Sequence, residues 1–112
     1  MTQKTVGTIL DHFVDGIKNI LGSHLEQIIL YGSYARGDYN EHSDIDIMIL
    51  VSLDESEKDK VLREISDFAF DLELEHDILL SPVIKNTKYF KEWVNIIPFF
   101  SNVMNEGVVL HG

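Results

Sequence analysis

The sequence predicts a protein of the α/β class, in its α+β form, with a small mixed sheet of three to four strands covered by helices. Apolar residues recur at helical spacing in the first segment of the chain. Two short runs of β-branched and aromatic residues follow, and helix-like and strand-like segments then alternate to the end. Because 45% of the 112 residues are hydrophobic, we expect a packed core in a single domain, residues 1–112.

The first half of the chain predicts one helix and two strands. The helix is expected to end near Gly22, and its apolar face consists of Val6, Ile9, Leu10, Phe13, Ile17, Ile20 and Leu21. A strand is predicted over residues 27–31, where Gly32 stops it. A loop containing Gly37 and Asn40 leads to a second, strongly apolar strand over residues 45–51.

The second half predicts a long helix, a third strand and further helical pieces. Ser52 to Glu55 fits a capping box, so a helix should follow and bury Val61, Leu62, Ile65, Phe68, Ala69 and Leu72. Over residues 74–80, two sets of side chains alternate along the chain: Leu74, His76, Ile78 and Leu80 in one, and Glu75, Asp77 and Leu79 in the other. This alternation predicts a third strand that stops before Pro82. A short helix is then expected over Tyr89, Phe90, Trp93 and Val94.

The C-terminal residues predict one more helix and an edge strand. Pro98 can open a helix at its first turn, with Phe99, Phe100, Val103 and Met104 facing inward. Gly107 would cap this helix, and residues 108–110 would form the edge strand. Trp93, Phe99 and Phe100 could instead serve a protein interface, although a core position is the more common outcome for such side chains.

Composition excludes several classes of function. The chain has no cysteine, which excludes disulfides, thiolate metal sites and cysteine nucleophiles. The formal net charge of -10 repels phosphate backbones, so direct nucleic-acid binding is not expected; the charge favours a basic partner or a site where metal ions neutralise carboxylates. Neither a signal peptide nor a membrane span is evident, so the expected location is the cytoplasm, without membrane attachment.

A glycine-serine pair follows the first predicted strand and favours phosphate binding. Gly32 lets the backbone come close to a ligand, and the hydroxyl of Ser33 with the N–H groups of a helix start suits a phosphate. Arg36 and Gly37 follow within reach of the same place. On its own, a glycine-serine pair after a strand is usually only a turn.

Two aspartates at the head of the second strand favour a divalent metal. Asp44 and Asp46 are two residues apart, so alternation places both carboxylates on one face. Two like charges side by side are costly without a cation, and hard oxygen ligands in this arrangement suit Mg²⁺, which also coordinates substrate phosphates.

A third carboxylate is expected from the third strand. If that strand pairs beside the second, Asp77 can join the face of Asp44 and Asp46, and Glu75 is the rival candidate. Three converging carboxylates are what a two-metal phosphoryl- or nucleotidyl-transfer site requires, and one of them could accept the proton of the attacking hydroxyl.

Taken together, these motifs resemble those of a known superfamily. Gly32-Ser33, Ala35-Arg36-Gly37 and Ser43-Asp44-Ile45-Asp46 are similar to the signature of the DNA polymerase beta-like nucleotidyltransferases, and in particular to the minimal nucleotidyltransferase (MNT) branch. The motif spans residues 28–51, and the acid of the third strand extends the likeness to about residue 80. The resemblance implies the nucleotidyltransferase fold and transfer of a nucleotidyl group from a triphosphate.

The resemblance also implies roles for individual residues. Gly32 and Ser33 would hold the β- and γ-phosphates, with Arg36 assisting them and Ser43 ordering the loop or the phosphates. The ligands of Mg²⁺, expected as two ions, would be Asp44, Asp46 and Asp77, and Asp77 would also orient or activate the nucleophile. ATP is the expected nucleotide. Apart from the resemblance, Tyr34 and Tyr39 could pack on its base, although ordinary surface packing is the more common outcome for such residues.

Finally, the resemblance implies a partner. MNT proteins are typically paired with HEPN-domain proteins that resemble RNase toxins, and the MNT protein acts as antitoxin by transferring AMP to the toxin. Two alternatives stay open: a binding module of the same fold that neutralises its partner by contact alone, and a nucleotidyltransferase of small molecules such as antibiotics. A second copy of the chain could also complete the acceptor surface, so a homo-oligomer is a further option.

Overall fold

The computed structural model describes residues 3–112, with side chains described from residue 5 onward. The elements in chain order are α1 (Gln3–Leu21), a 3₁₀ turn (Gly22–His24), β1 (Leu25–Tyr31), α2 (Ser33–Arg36), β2 (Ile45–Val51), α3 (Glu55–His76), β3 (Leu80–Asn86), α4 (Thr87–Trp93), α5 (Pro98–Glu106) and β4 (Val108–His111). No helix within residues 3–112 combines the length and the apolar character needed to cross a membrane.

The four strands form one mixed sheet in the order β3-β2-β1-β4. β1 pairs antiparallel with both β2 and β4, whereas β2 and β3 run parallel. The parallel pair requires a crossover, and α3 supplies it. The predicted mixed sheet covered by helices is therefore confirmed, as are the first helix, the strand over residues 45–51 and the edge strand near the C-terminus.

Helices cover both faces of the sheet, which explains why β2 is apolar on both sides. Ile45, Ile47 and Ile49 of β2 pack in the cluster that includes the buried faces of α1 and α3. On the opposite face, Met48 and Leu50 pack with residues of α4 and α5 in a second cluster. Alternation along β2 therefore puts Asp46 on the α4/α5 face of the sheet, at its end.

Three residues predicted to face inward are exposed. The exposed fractions are 44% for Leu62, 39% for Phe99 and 55% for Met104. In each helix the remaining predicted positions, such as Ile65 and Phe100, already fill the space over the sheet. The apolar stripe that these helices bury is therefore narrower than their apolar composition indicated.

The third strand was predicted six residues too early. Residues 74–76 belong to α3, because Ile65, Ala69 and Leu72 continue a helical spacing that brings the half-buried His76 onto the same face. The strand itself is Leu80–Asn86 and includes Pro82, which was expected to end it. Proline is tolerated here because β3 lies at the edge of the sheet, where an N–H that faces away from β2 needs no ladder partner.

The capping box of α3 lies two residues beyond its predicted place. Asp54 is the N-cap, and its carboxylate accepts a hydrogen bond from the backbone N–H of Glu57, 2.9 Å long. The Glu57 side chain accepts one from the backbone N–H of Asp54 in return. Ser52 cannot serve as the cap because its backbone N–H still bonds to His24, at the end of β2.

Candidate active site

The glycine-serine turn is a tight connection between β1 and the short helix α2. Gly32 has φ 72° and ψ -153°, a conformation essentially restricted to glycine, and its carbonyl accepts hydrogen bonds from the N–H groups of Ala35 and Arg36. A Cβ at residue 32 would also overlap a carboxylate oxygen of Asp46. The turn thus brings the backbone before Ser33 into contact with the second aspartate.

The two aspartates predicted at the head of β2 lie together beside this turn. Asp44 is exposed, and Asp46 is half-buried as the second residue of β2. Burial, followed by repulsion from Asp44, raises the pKa of Asp46 above its ordinary value, and the charge of Arg36 offsets part of this shift. A half-buried carboxylate that a second carboxylate repels fits a divalent cation, which would offset both the burial and the repulsion.

The raised pKa of Asp46 predicts that Asp46→Asn stabilises the metal-free protein. The folded state holds the proton of Asp46 more tightly than the unfolded state, so folding is penalised as pH rises through the two pKa values. At pH 7 we expect a gain of about 0.5 kcal/mol, because solvent screens a half-exposed group, or roughly 2–4 °C in the unfolding midpoint. The gain should shrink as pH falls towards the ordinary aspartate pKa.

Asp67→Asn is the control for this measurement, because Asp67 is an exposed acid of α3 and its substitution removes the same charge. Thermal unfolding of both variants is measured between pH 4 and pH 8. A larger gain in stability for Asp46→Asn than for Asp67→Asn indicates the local burial and repulsion of Asp46, whereas the loss of one negative charge is common to both. Equal gains for the two variants would contradict the local explanation.

Tyr31 is a site residue that the sequence analysis did not identify. It pairs directly with Asp46 across β1 and β2, and it shares the α4/α5 face. Burial and the nearby charge of Asp46 raise the pKa of Tyr31 to about 12, so its phenol stays neutral at physiological pH. Only the register of the two strands places it beside the acid pair, and no motif in the sequence indicates this register.

Asp77 does not join the acid pair, and the prediction that it lies on a strand of that face is wrong. Asp77 is the C-cap of α3 with φ 53°, and Glu75 lies in the last turn of the same helix. Within residues 3–112, no three His, Cys, Asp or Glu side chains come close enough to hold one metal ion. Asp77 instead lines a cavity of about 700 Å³ with His76 and residues 39–42 of the loop before β2.

The position of Asp77 predicts that Asp77→Gly preserves any nucleotidyl transfer and stabilises the protein. A left-handed helix end favours glycine, so the replacement should add about 0.5–1 kcal/mol of stability. A third metal ligand would instead lose most activity on this change. Chemical denaturation and a transfer assay measure the two effects, and Asp77→Asn, which also tolerates this backbone conformation, is the conservative comparison.

Ser81 takes the place beside the acid pair where a third carboxylate was expected. It is the Cα partner of Asp46 in the parallel pairing of β2 and β3, and its hydroxyl donates a hydrogen bond to Oδ2 of Asp44 at 3.2 Å. Ser81 was not a predicted site residue, because the third strand was expected to stop before Pro82.

Arg36 and Ser43, both predicted near phosphate, make contacts that hold the loops of the site. The Arg36 guanidinium donates to Glu106 at 2.8 Å and to Asp38 at 3.2 Å, and these two hydrogen bonds raise the pKa of Arg36. Glu106 is the last residue of α5, so this ion pair ties α2 to the C-terminal part of the chain. The Ser43 hydroxyl accepts a hydrogen bond from the backbone N–H of Asn40, which closes the loop before β2.

The aromatic residues predicted to pack on a nucleobase contact each other. The rings of Tyr34 and Tyr39 stack with centroids 4.1 Å apart and planes 8° apart. Both also line the cavity that contains Asp77. A base entering this cavity would therefore meet a preformed pair of rings and could stack on one outer face of the pair.

Comparison with known proteins defines the class to which this fold and site belong. The nucleotidyltransferase domain family matches residues 12–105, and the chain belongs to this family of enzymes. The match includes β1, the glycine-serine turn, the acid pair and β3. The nucleotidyltransferase fold and the enzyme class expected from the sequence are therefore confirmed.

Within the family, the similar curated proteins come from Methanocaldococcus jannaschii. One, named "Putative protein adenylyltransferase MJ0141", is 40% identical over 102 residues, which cover 89% of this chain and 93% of the relative. Another, named "Putative protein adenylyltransferase MJ0604", is 33% identical over 102 residues and covers 91% and 94% of the two chains. These matches confirm the resemblance to the MNT branch.

Solved structures show the same fold. A structure described as a minimal nucleotidyltransferase has a TM-score of 0.66 at 17% identity, covering 96% of this chain and 95% of the other. A crystal structure described as a toxin-antitoxin with AMP-PNP has a TM-score of 0.55 at 23% identity, covering 91% and 73% of the two chains.

Proposed function

We propose that this chain transfers AMP from ATP to a hydroxyl group of a partner protein. The observation that carries the proposal is the packing of Asp46, which lies close to Asp44, against Gly32 of the glycine-serine turn. This arrangement puts candidate metal ligands beside a candidate phosphate-binding turn. The protein adenylyltransferase names of the curated relatives and the AMP-PNP of the structural neighbour support AMP as the group transferred.

In this proposal the turn binds the triphosphate and the two acids hold the metal. The first backbone N–H groups of α2 have no partner within the helix, so Ser33 and its neighbour suit the β- and γ-phosphates. Ser43 orders the loop that leads to Asp44. Arg36 fixes the turn through Glu106 and lies close enough to Asp46 to influence its charge.

The reaction is a displacement at the α-phosphorus of ATP. The acceptor hydroxyl loses its proton to solvent, and its oxygen forms the new bond to this phosphorus. The bond to the oxygen that bridges to the β-phosphate breaks, and pyrophosphate leaves with that electron pair. Bound Mg²⁺ would supply electrostatic stabilisation of the phosphate charge. The chain itself contributes positioning and electrostatics, and no covalent intermediate with the protein is required.

The two-metal arrangement expected from the sequence stays a prediction, and the structure does not supply its third carboxylate from Asp77. It depended on Asp77 as a third carboxylate, and Asp77 lies at the end of α3 instead. We therefore propose that Asp44 and Asp46 are the whole contribution of acidic side chains to metal binding.

The acceptor that we propose is a toxin of the HEPN type, bound in a toxin-antitoxin pair. The structural neighbours support a toxin partner, because a second crystal structure, described as toxin-antitoxin MntA-HpeT mutant-D39ED41E, has a TM-score of 0.58 at 21% identity over 92% of this chain and 73% of the other. The net charge of -10 suits a basic, RNase-like partner.

A transfer assay tests the proposed function directly. The protein is incubated with ATP labelled at the α-phosphate, Mg²⁺, and the product of the neighbouring gene. We expect label on the partner and release of pyrophosphate, both abolished by a chelator. If neither label nor pyrophosphate appears with any such partner, the enzymatic proposal is wrong.

A second candidate function, neutralisation of the partner by contact alone, is favoured by an exposed aromatic surface. Trp93 and Phe99 are 40% and 39% exposed, so both are available to a partner, whereas Phe100 is buried. Phe99 also contacts Tyr31 edge to face, with centroids 5.5 Å apart, which brings this surface next to Asp46. A partner bound there would cover the site whether or not it is modified.

A further inference from the structure

Ser81 connects β3 to the acid pair through one side chain. Strand β3, Leu80–Asn86, contains no acidic residue. Its parallel register with β2 sets Ser81 directly beside Asp46, and the Ser81 hydroxyl donates a hydrogen bond to Oδ2 of Asp44. Ser81 is therefore the nearest side chain that β3 offers to a cation held by the pair.

The hydrogen bond from Ser81 restrains a carboxylate that would otherwise rotate. Asp44 is exposed and precedes β2, so the sheet does not fix its side chain. The hydrogen bond of 3.2 Å occupies Oδ2 of Asp44. It leaves Oδ1 as the oxygen that a cation could bind. Hydrogen bonds that orient metal-binding carboxylates in this way commonly change metal affinity by about 10–100-fold.

The same residue limits the charge of the site. A carboxylate at residue 81 would bring three negative charges together, whereas a serine leaves two. Two carboxylates balance the charge of one divalent cation, and a second cation would need oxygen ligands from elsewhere.

We propose that Ser81 is a positioning residue that orients Asp44, and that its presence in place of an acid limits the side chains of this chain to one tightly bound divalent cation. The inference rests on the proposed function, since it concerns the same metal and nucleotide site. It differs from the two-ion arrangement expected from the sequence in the number of ions that the protein holds.

Mn²⁺ binding tests the proposal without measuring activity, first for the protein alone, where only the chain holds the ions, and then with a non-hydrolysable ATP analogue, whose phosphates also bind Mn²⁺. Calorimetry gives the affinity, and electron paramagnetic resonance counts the bound ions. For the protein alone we expect one tight ion in the unmodified chain, about 10-fold weaker binding for Ser81→Ala, and near-normal binding for Ser81→Thr, which keeps the hydroxyl. Ser81→Asp should gain a second ion.

Ser52→Ala is the matched control. Ser52 follows the other end of β2, where its hydroxyl lies 3.3 Å from His24, and its loss should leave Mn²⁺ binding unchanged. Thermal unfolding of the metal-free variants separates metal affinity from folding.

The outcomes distinguish this inference from the proposed function. Unchanged affinity in Ser81→Ala would overturn the positioning role, and two tight ions in the unmodified protein would overturn the limit on cation number; both results leave the proposed function standing. If the unmodified protein binds no Mn²⁺ with the analogue, the proposed function fails and this inference fails with it.

Discussion

Replacing both Asp44 and Asp46 with asparagine is expected to reduce AMP transfer at least about 1,000-fold while the protein stays folded. Asp46 packs against Gly32 of the glycine-serine turn and lies close enough to Asp44 for the two charges to repel each other, so both carboxylates are candidate metal ligands at this turn. Stabilisation of phosphate charge by a metal is worth several kcal/mol, and each 1.4 kcal/mol is about tenfold in rate. Initial rates of labelled AMP transfer measure the loss.

The double variant also separates the two candidate functions. If the chain is an enzyme, the variant should no longer neutralise the partner; if contact alone neutralises it, the variant should remain effective. Asp67→Asn with Asp71→Asn is the control, because it removes the same two charges from the exposed side of α3. Full transfer activity in the Asp44/Asp46 variant would rule out the proposed metal site.

Gly32→Ala is expected to damage both folding and function, because residue 32 has a backbone conformation essentially restricted to glycine and no room for a Cβ. A non-glycine residue at φ 72°, ψ -153° costs about 1–3 kcal/mol, and the added methyl would push the Asp46 carboxylate aside. We expect a loss of about 2 kcal/mol or more, seen as a drop of roughly 8 °C or more in the unfolding midpoint. Displacement of the acid should lower transfer about 100-fold.

Gly37→Ala is the matched control for this prediction. Gly37 also has a positive φ, 87°, but a Cβ there would meet no atom within 4 Å. Gly37→Ala should therefore lose only the stability that a non-glycine residue loses at positive φ, about 1–2 kcal/mol, and it should keep most activity. Adding Asp46→Ala to Gly32→Ala removes the overlap, so Gly32→Ala should cost less stability in that background. Equal effects of the two alanines would refute the proposed overlap with Asp46.

The prediction succeeded where one short stretch of chain contains the whole pattern. Residues 27–51 include a strand, a glycine-dependent turn and a second apolar strand, and each has its own local signal. The spacing of Asp44 and Asp46 at a strand head was enough to predict that their carboxylates lie close together, and in the structure the charge of Asp44 contributes to the raised pKa of Asp46. The roles of these residues in catalysis stay predictions.

The prediction failed where two signals competed. The side chains of residues 74–80 alternate as they would in a strand. The helical spacing of Ala69, Leu72 and His76, however, continues into the same residues. A window of seven residues is compatible with both periods. Burial against the sheet decided for the helix. The strand was displaced to Leu80–Asn86, and with it the residue that lies beside the acid pair changed from Asp77 to Ser81.

The sequence by itself therefore determined the class of fold, the glycine-serine turn and the closeness of Asp44 and Asp46, because backbone conformation and side-chain alternation act between residues close in the chain. Only the tertiary structure decided which residues of distant segments complete the site: Tyr31 by the register of β1 on β2, Ser81 by the register of β3 on β2, and Glu106 by its ion pair with Arg36. Those pairings depend on how α3 and α5 pack on the sheet. The free energy of this packing comes from many side chains, so no single motif in the sequence indicates it.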